Sequence, residues 1–256
     1  MPNALVTGAG SGIGQAIAAR LVREGFRVWV SDLEPIRAEQ VGKALGMPHL
    51  AVDVTSRSAL EEAARHIFAS DHRLDVLVAN AGVSTMNPFL ELSEEEWDFN
   101  FAVNAKGTFL TLQTFARQMA QQPLMTGREV RGKLIATASM AARQAAPLLA
   151  HYSASKFAVL GLVQAIAKEL APLQLTVNAV NPGFVQTQMQ EREVAWEARL
   201  RGLSPQAVLK DYVRQTPLGR LQRPEDVAAA VAFLVGPDSD FITGEAMEVN
   251  GGAWIF

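Results

Sequence analysis

Tyr152-Ser153-Ala154-Ser155-Lys156 sets a phenol and an ammonium four positions apart. On a helix, such positions share one face. A free tyrosine, with a pKa of about 10, is a poor base at neutral pH. A nearby lysine ammonium favours the phenolate, and a second cationic group would favour it further. Lowering a phenol by about three units takes roughly 4 kcal/mol of differential stabilisation. Two close positive charges in a water-poor site are large enough to supply that. The phenolate then takes a proton from an alcohol, and the phenol returns one to a forming alkoxide. Alone, a tyrosine and a lysine at this spacing read as a surface helix pair. Ser139 changes that reading. It follows an apolar run, where a strand would present its C-terminal end, and its hydroxyl can hold a substrate oxygen for proton transfer.

A second constellation lies near the start. Thr7-Gly8-Ala9-Gly10-Ser11-Gly12-Ile13-Gly14 follows one apolar run and opens a helical pattern. Glycines there let the backbone turn tightly and approach a pyrophosphate, while the helix N-terminus offers free N–H groups to the anion. Asp32 falls eighteen positions after Gly14, at the end of the second run. A carboxylate there accepts hydrogen bonds from both adenosine ribose hydroxyls and repels a 2′-phosphate. NAD is therefore expected over NADP, with the nearby Arg37 weighing the other way. The nicotinamide ring would supply the second positive charge beside Tyr152.

The elements that must position these groups are legible as patterns. Seven short apolar runs recur: Ala4–Thr7, Arg27–Ser31, Leu50–Val54, Asp75–Ala79, Lys133–Ala138, Leu175–Val180 and Glu245–Val249. They show little polar alternation, as strands buried on both faces do. Amphipathic helices lie between them. Ser93-Glu94-Glu95-Glu96 fits a capping box opening a long helix to about Met119, and Pro224 suits the first turn of another. This alternation predicts a doubly wound α/β sheet in one domain. Residues 121–132 form a polar connection. Residues 184–219 form a long insertion beside a strand end, with Ser204-Pro205 as a helix start, and are expected to act as a substrate lid.

The composition narrows the class. The 256 residues are 49% hydrophobic and 19% charged, with a net charge of −3, so a sizeable core is expected and no basic footprint for nucleic acid or anionic membrane. There are no cysteines, hence no disulfides, thiolate metal sites or cysteine nucleophile. The four histidines show no ligand spacing, so no metal is expected. No apolar run is long enough to span a bilayer, and Met1–Thr7 lacks a signal-peptide pattern, which makes a cytoplasmic location the expectation.

Together these motifs resemble the short-chain dehydrogenase/reductase family over essentially the whole chain. Thr7-Gly8-x-x-x-Gly12-Ile13-Gly14 is similar to its cofactor motif, and Ser139, Tyr152 and Lys156 match its active-site trio, with the usual thirteen-residue step from the serine to the tyrosine. Asp53-Val54 resembles the pair that touches adenine, and Asn80-Ala81-Gly82 the motif after the fourth strand. Ala79 stands where that motif usually has a further asparagine. The resemblance implies a Rossmann-like seven-stranded parallel sheet of order 3-2-1-4-5-6-7. It implies that Asn104 anchors a water in a proton relay, and that Ser11 and Leu33 join the cofactor site. It implies that Lys156 also holds the nicotinamide ribose, and that Pro182, Gly183, Val185 and Thr187 meet the nicotinamide end.

The substrate pocket is expected near Ser139, before Tyr152, and in the insertion. Met140, Gln144, Phe184, Met189 and Trp196 are its main candidates, with Ala141, Ala146, Leu149 and His151 close by. His151 is expected to pack beside the catalytic helix rather than act as an acid. The C-terminal half is similar to polyol, sorbitol-type and acetoin/butanediol dehydrogenases, so the expected reaction interconverts a polyol, sugar or vicinal hydroxy compound and its ketone. The alternatives are a 3-oxoacyl reductase acting on carrier-protein or coenzyme A thioesters, a cyclic dihydrodiol dehydrogenase, and, in another class, a non-catalytic NAD-binding sensor. Asp32 argues against the first and the intact trio against the last. The apolar tail Ala253–Phe256 is expected to be buried at an interface of a homotetramer, the family's usual assembly.

Overall fold

A computed structural model describes residues 1–255. Seven parallel strands form one sheet in the order β3-β2-β1-β4-β5-β6-β7, as the sequence pattern and the resemblance led us to expect. The strands are β1 (Asn3–Thr7), β2 (Arg27–Asp32), β3 (His49–Ala51), β4 (Val76–Ala79), β5 (Gly132–Thr137), β6 (Leu175–Pro182) and β7 (Ala246–Val249). Helices α1 (Gly12–Arg23), α2 (Pro35–Leu45), α3 (Arg57–Asp71), α4 (Glu94–Asn100), α5 (Thr108–Met119), α6 (Ala150–Leu170), α7 (Gln188–Arg201), α8 (Pro205–Gln215) and α9 (Pro224–Val235) complete it.

Successive side chains of a strand point to opposite faces, so each strand feeds two cores. Leu5, Leu77, Leu134 and Val177 pack with Ile67, Leu112, Phe115 and Val163 on one face. Val6, Val78, Ile135 and Val180 pack with Ile17, Leu21, Val227 and Val231 on the other. This two-sided burial is why the runs lack polar alternation. Each fully buried Val, Leu, Ile or Phe contributes about 1.5–3 kcal/mol.

The departures from expectation are local. The run Leu50–Val54 pairs with β2 only as far as Ala51, and Asp53 and Val54 then leave the sheet for the cleft above it. Lys133, fully buried in β5, is satisfied by the carbonyls of Leu234 (3.2 Å) and Gly236 (2.8 Å) and by Ser239 Oγ (2.6 Å). It therefore caps the C-terminal end of α9, where a cation meets the helix dipole favourably. Burial still pushes its ammonium down to about 8.

The long helix after Ser93 is not uniform. Ser93 and Glu96 form the expected capping box, at 3.2 Å in both directions. A π-helical stretch, Phe101–Gly107, then separates α4 from α5. Such stretches frequently sit at functional sites, and this one carries Asn104.

Parallel strands place all their C-terminal ends on one side. The chain leaves β1 and β4 in opposite directions, and the crevice between them is where ligands bind in such sheets.

Candidate active site

Glycines shape the first wall of this crevice. Gly8 and Gly12 hold left-handed φ values of +63° and +53°, a conformation costly for other residues. A Cβ on Gly14 would collide with the Gly8 carbonyl, and one on Gly10 with Asp32 and Arg37. Ser11 stands at the N-cap of α1 without a side-chain capping bond, so the first-turn N–H groups are left for a ligand. Asp32 Oδ2 accepts the Gly10 N–H at 2.9 Å, and Oδ1 accepts that of Glu34 at 3.1 Å. These bonds fix the carboxylate beside the glycine loop.

Asn80 ties the loop to three strands. Its Nδ2 donates to the carbonyls of Thr7 (3.0 Å) and Gly8 (3.3 Å). Its Oδ1 accepts from Thr137 Oγ1 at 3.1 Å, and its backbone N–H donates to Thr7 Oγ1 at 3.0 Å. The single asparagine thus spans β1, β4 and β5, and alanine at position 79 leaves this network intact.

Tyr152 and Lys156 stand one turn apart on α6, the ammonium nitrogen 5.8 Å from the phenol ring centre. Lys156 is buried and donates to the Thr137 carbonyl at 2.9 Å. Burial pushes its ammonium down to about 8. Burial also raises the Tyr152 phenol above its ordinary range. The Glu193 carboxylate adds to that rise, and the Ser139 hydroxyl beside the phenol pulls the other way. Ser139 Oγ also accepts the Ala141 N–H at 3.1 Å, which orients it. Without a bound cation, these residues favour the protonated phenol.

The crevice has a volume of about 710 Å³, within the range of ligand sites. Every expected cofactor residue lines it: Gly8, Ser11, Gly12, Ile13, Gly14, Asp32, Leu33, Asp53, Val54, Asn80, Ala81, Gly82, Pro182, Gly183, Val185 and Thr187. So do Ser139, Met140, Gln144, Tyr152, Lys156, Phe184 and Met189. These residues fit a dinucleotide: glycines and free N–H groups for the phosphates, an acid for the ribose, and a buried lysine beyond.

Two pocket candidates, Trp196 and His151, lie outside the crevice wall, as does Asn104. Trp196 is absent from the crevice wall; the lining from α7 ends at Glu193, and the rest of α7 turns toward α8. Asn104 is fully buried behind the wall. Its Oδ1 accepts the Val83 N–H at 2.8 Å, and its Nδ2 donates to the Val83 carbonyl at 2.9 Å and Ser155 Oγ at 3.0 Å. Its side chain therefore joins the loop after β4 to α6. His151 is buried within α6 itself, with Nε2 2.6 Å from Thr85 Oγ1.

Tyr212 and Glu193 are among the lining residues that the sequence pattern does not single out. Tyr212 of α8 stacks on Phe184, ring centres 4.1 Å apart, and Glu193 faces Tyr152. Glu193 sits in the charged string Glu191–Glu197, which reads as a solvated face, and Tyr212 has no motif around it.

A doubly wound parallel sheet with a glycine-lined crevice at its C-terminal edge places the chain among Rossmann-like proteins. A family model described as enoyl-(acyl carrier protein) reductase matches residues 8–253. The chain belongs to the short-chain dehydrogenase/reductase family. It is 39% identical to L-2,3-butanediol dehydrogenase of Corynebacterium glutamicum, with 97% of each chain covered. It is 35% identical to an (S)-acetoin-forming diacetyl reductase of Staphylococcus epidermidis, again over 97% of each. Among solved structures, it superposes on a 3-ketoacyl-(acyl-carrier-protein) reductase of Brucella melitensis complexed with NADH. The TM-score is 0.87 and the identity 30%, over 99% of this chain and 98% of that one. The chain is thus a dehydrogenase/reductase by family.

Proposed function

We propose that this protein is an NAD-dependent dehydrogenase that interconverts a secondary alcohol bearing a neighbouring hydroxyl or carbonyl group and its ketone. The observation that carries the reading is the convergence of Tyr152, Ser139 and Lys156 at the sheet edge, beside the glycine loop and Asp32. Bound NAD supplies the hydride acceptor and a positive ring. The chain's residues do the rest. Ser139 holds the substrate oxygen, Tyr152 takes its proton, and Lys156 offsets the phenolate charge. Lys156 also reaches the nicotinamide ribose, and Asn104 positions Val83 and Ser155 around it. Asp32 is the support for NAD over NADP, and the related NADH-bound reductase is compatible with it. The similarity to butanediol and diacetyl enzymes supports a small vicinal substrate, and relatives that act on 3-hydroxyacyl-CoA support the thioester as the second reading.

Residues 184–219 act in this reading as the lid of one nucleotide-binding domain. Helices α7 and α8 share a small core of Val194, Ala198, Val208 and Tyr212, separate from those of the sheet. That arrangement suits a segment moving as a unit.

Steady-state assays of 2,3-butanediol, acetoin, sorbitol-type polyols, a cyclic dihydrodiol and acetoacetyl-CoA test the substrate class. The expected result is turnover of a vicinal hydroxy compound. Negligible turnover of every diol and polyol, with activity on the thioester, would replace the reading with the 3-oxoacyl reductase.

The working form is proposed to be a homotetramer. Phe109 on α5 and Phe157 on α6 are 37% and 46% exposed, and Ile255 in the tail 79%. Such apolar surface favours self-association. Phe256, the last residue of the expected interface tail, lies outside the described residues. Light scattering at micromolar concentration should give four times the 27.6 kDa chain mass; a monomer refutes the assignment.

A further inference from the structure

The substrate end of the crevice holds a charge that the hydride-transfer reaction does not need. Glu193, on the second turn of α7, lines the wall beside Met189 and across from Tyr152. Its position works against the general base, because a facing carboxylate disfavours a phenolate. A group with that cost makes sense if it meets the substrate.

The surroundings of Glu193 leave its carboxylate available. The neighbouring acid Glu197 is already committed, accepting from Tyr212 Oη and pairing with Arg201. Glu193 forms no ion pair within 4 Å among the described residues. Arg192, next in sequence, is exposed and acts on it only at longer range. The Ser84 hydroxyl, buried in the loop after β4, faces Glu193 and has no hydrogen-bond partner among the described residues. The titratable groups around Glu193 are thus Arg192 and Glu197 on its own helix, Tyr152 from α6 and Tyr212 from α8. Burial raises its carboxyl, so the site rewards a donor that satisfies the anion.

We infer that Glu193 accepts a hydrogen bond from a second hydroxyl of the substrate, close to the reacting carbon, and selects vicinal diols and hydroxy-ketones over mono-alcohols. The inference rests on the dehydrogenase reading above and adds the residue that reads the second oxygen. It also disfavours substrates with an anionic group at that position, since two like charges would face each other there.

The test compares 2,3-butanediol with 2-butanol, using the intact enzyme and NAD, in the wild type, Glu193→Gln and Glu193→Leu. Melting curves and NADH fluorescence titration establish that each variant folds and binds cofactor. A charge-assisted hydrogen bond is lost in Glu193→Leu, so the ratio of kcat/KM for diol to mono-alcohol should fall about tenfold to a hundredfold. Glu193→Gln keeps an acceptor oxygen and should recover part of that ratio. For 2-butanol, both variants should shift the oxidation pH profile to lower pH, because Tyr152 no longer faces a negative charge. A purely structural role for Glu193 would lower both substrates together and move no profile. An unchanged ratio in Glu193→Leu overturns the inference. So does a wild type that oxidises 2-butanol as well as the diol, which leaves the dehydrogenase reading standing. A wild type that oxidises neither overturns both.

Discussion

Tyr152→Phe is expected to lower kcat by about 10³-fold or more while NADH still binds, within the range for removing a general acid/base. The substitution deletes one oxygen from a side chain at the crevice wall and leaves the ring that fills its place on α6. The glycine loop, Asp32 and Asn80 lie on other elements and are untouched, so fluorescence titration with NADH should give a Kd close to that of the wild type. Rapid turnover by the variant would remove Tyr152 from the mechanism; lost turnover with lost NADH binding would indicate a folding defect instead. A sensor built on this fold would keep NADH binding and its output, which separates that alternative.

The same phenol sets the pH dependence. Burial and the Glu193 charge raise it in the free protein, and the unionised form is the wrong one for taking a proton from an alcohol. Alcohol oxidation should therefore gain kcat/KM as pH rises and the phenol ionises, and ketone reduction should lose it over the same range. Lys156, pushed down to about 8 by burial, stabilises the phenolate in its charged form. That help is present below about pH 8 in the free protein and is lost as pH rises through it. In the NAD-bound enzyme, where the nicotinamide ring would add a second positive charge and draw the phenol down toward that range, Lys156→Met should move the rising limb of oxidation to higher pH.

Asp32→Ser is expected to lower kcat/KM for NAD by about 10²-fold and to reduce the preference over NADP by more. Two charge-assisted hydrogen bonds from ribose hydroxyls to a carboxylate, about 1.5–3 kcal/mol each, leave room for a loss of that size. The preference for NAD shifts further because the repulsion of a 2′-phosphate disappears with the charge. Arg37, adjacent to Gly10 and lining the same crevice, is then free to pair with that phosphate. The Gly10 N–H also loses its acceptor, so loop order should decline modestly. Paired assays with NAD and NADP read the effect directly. An unchanged ratio would show that Asp32 does not touch the ribose.

The sequence by itself determined the strands, the glycine loop and the Tyr152–Lys156 pair, because these depend on local periodicity. Apolar runs without alternation specify strands buried twice, glycines at fixed offsets specify a turn, and a four-residue step specifies a shared helix face. Only the tertiary structure decided which side chains meet from distant segments. Glu193 and Tyr212 look like surface residues in their own helices, and only the packing of α7 and α8 over the crevice brings them to Tyr152 and Phe184. Trp196 reads like a pocket aromatic, yet α7 turns from the wall before reaching it. Asn104 matches a motif, and only the packing of the π-helical stretch shows that its side chain bonds Val83 and Ser155. The reason is common to all four: helical phase relative to a neighbouring element is set by long-range packing, which no local pattern encodes.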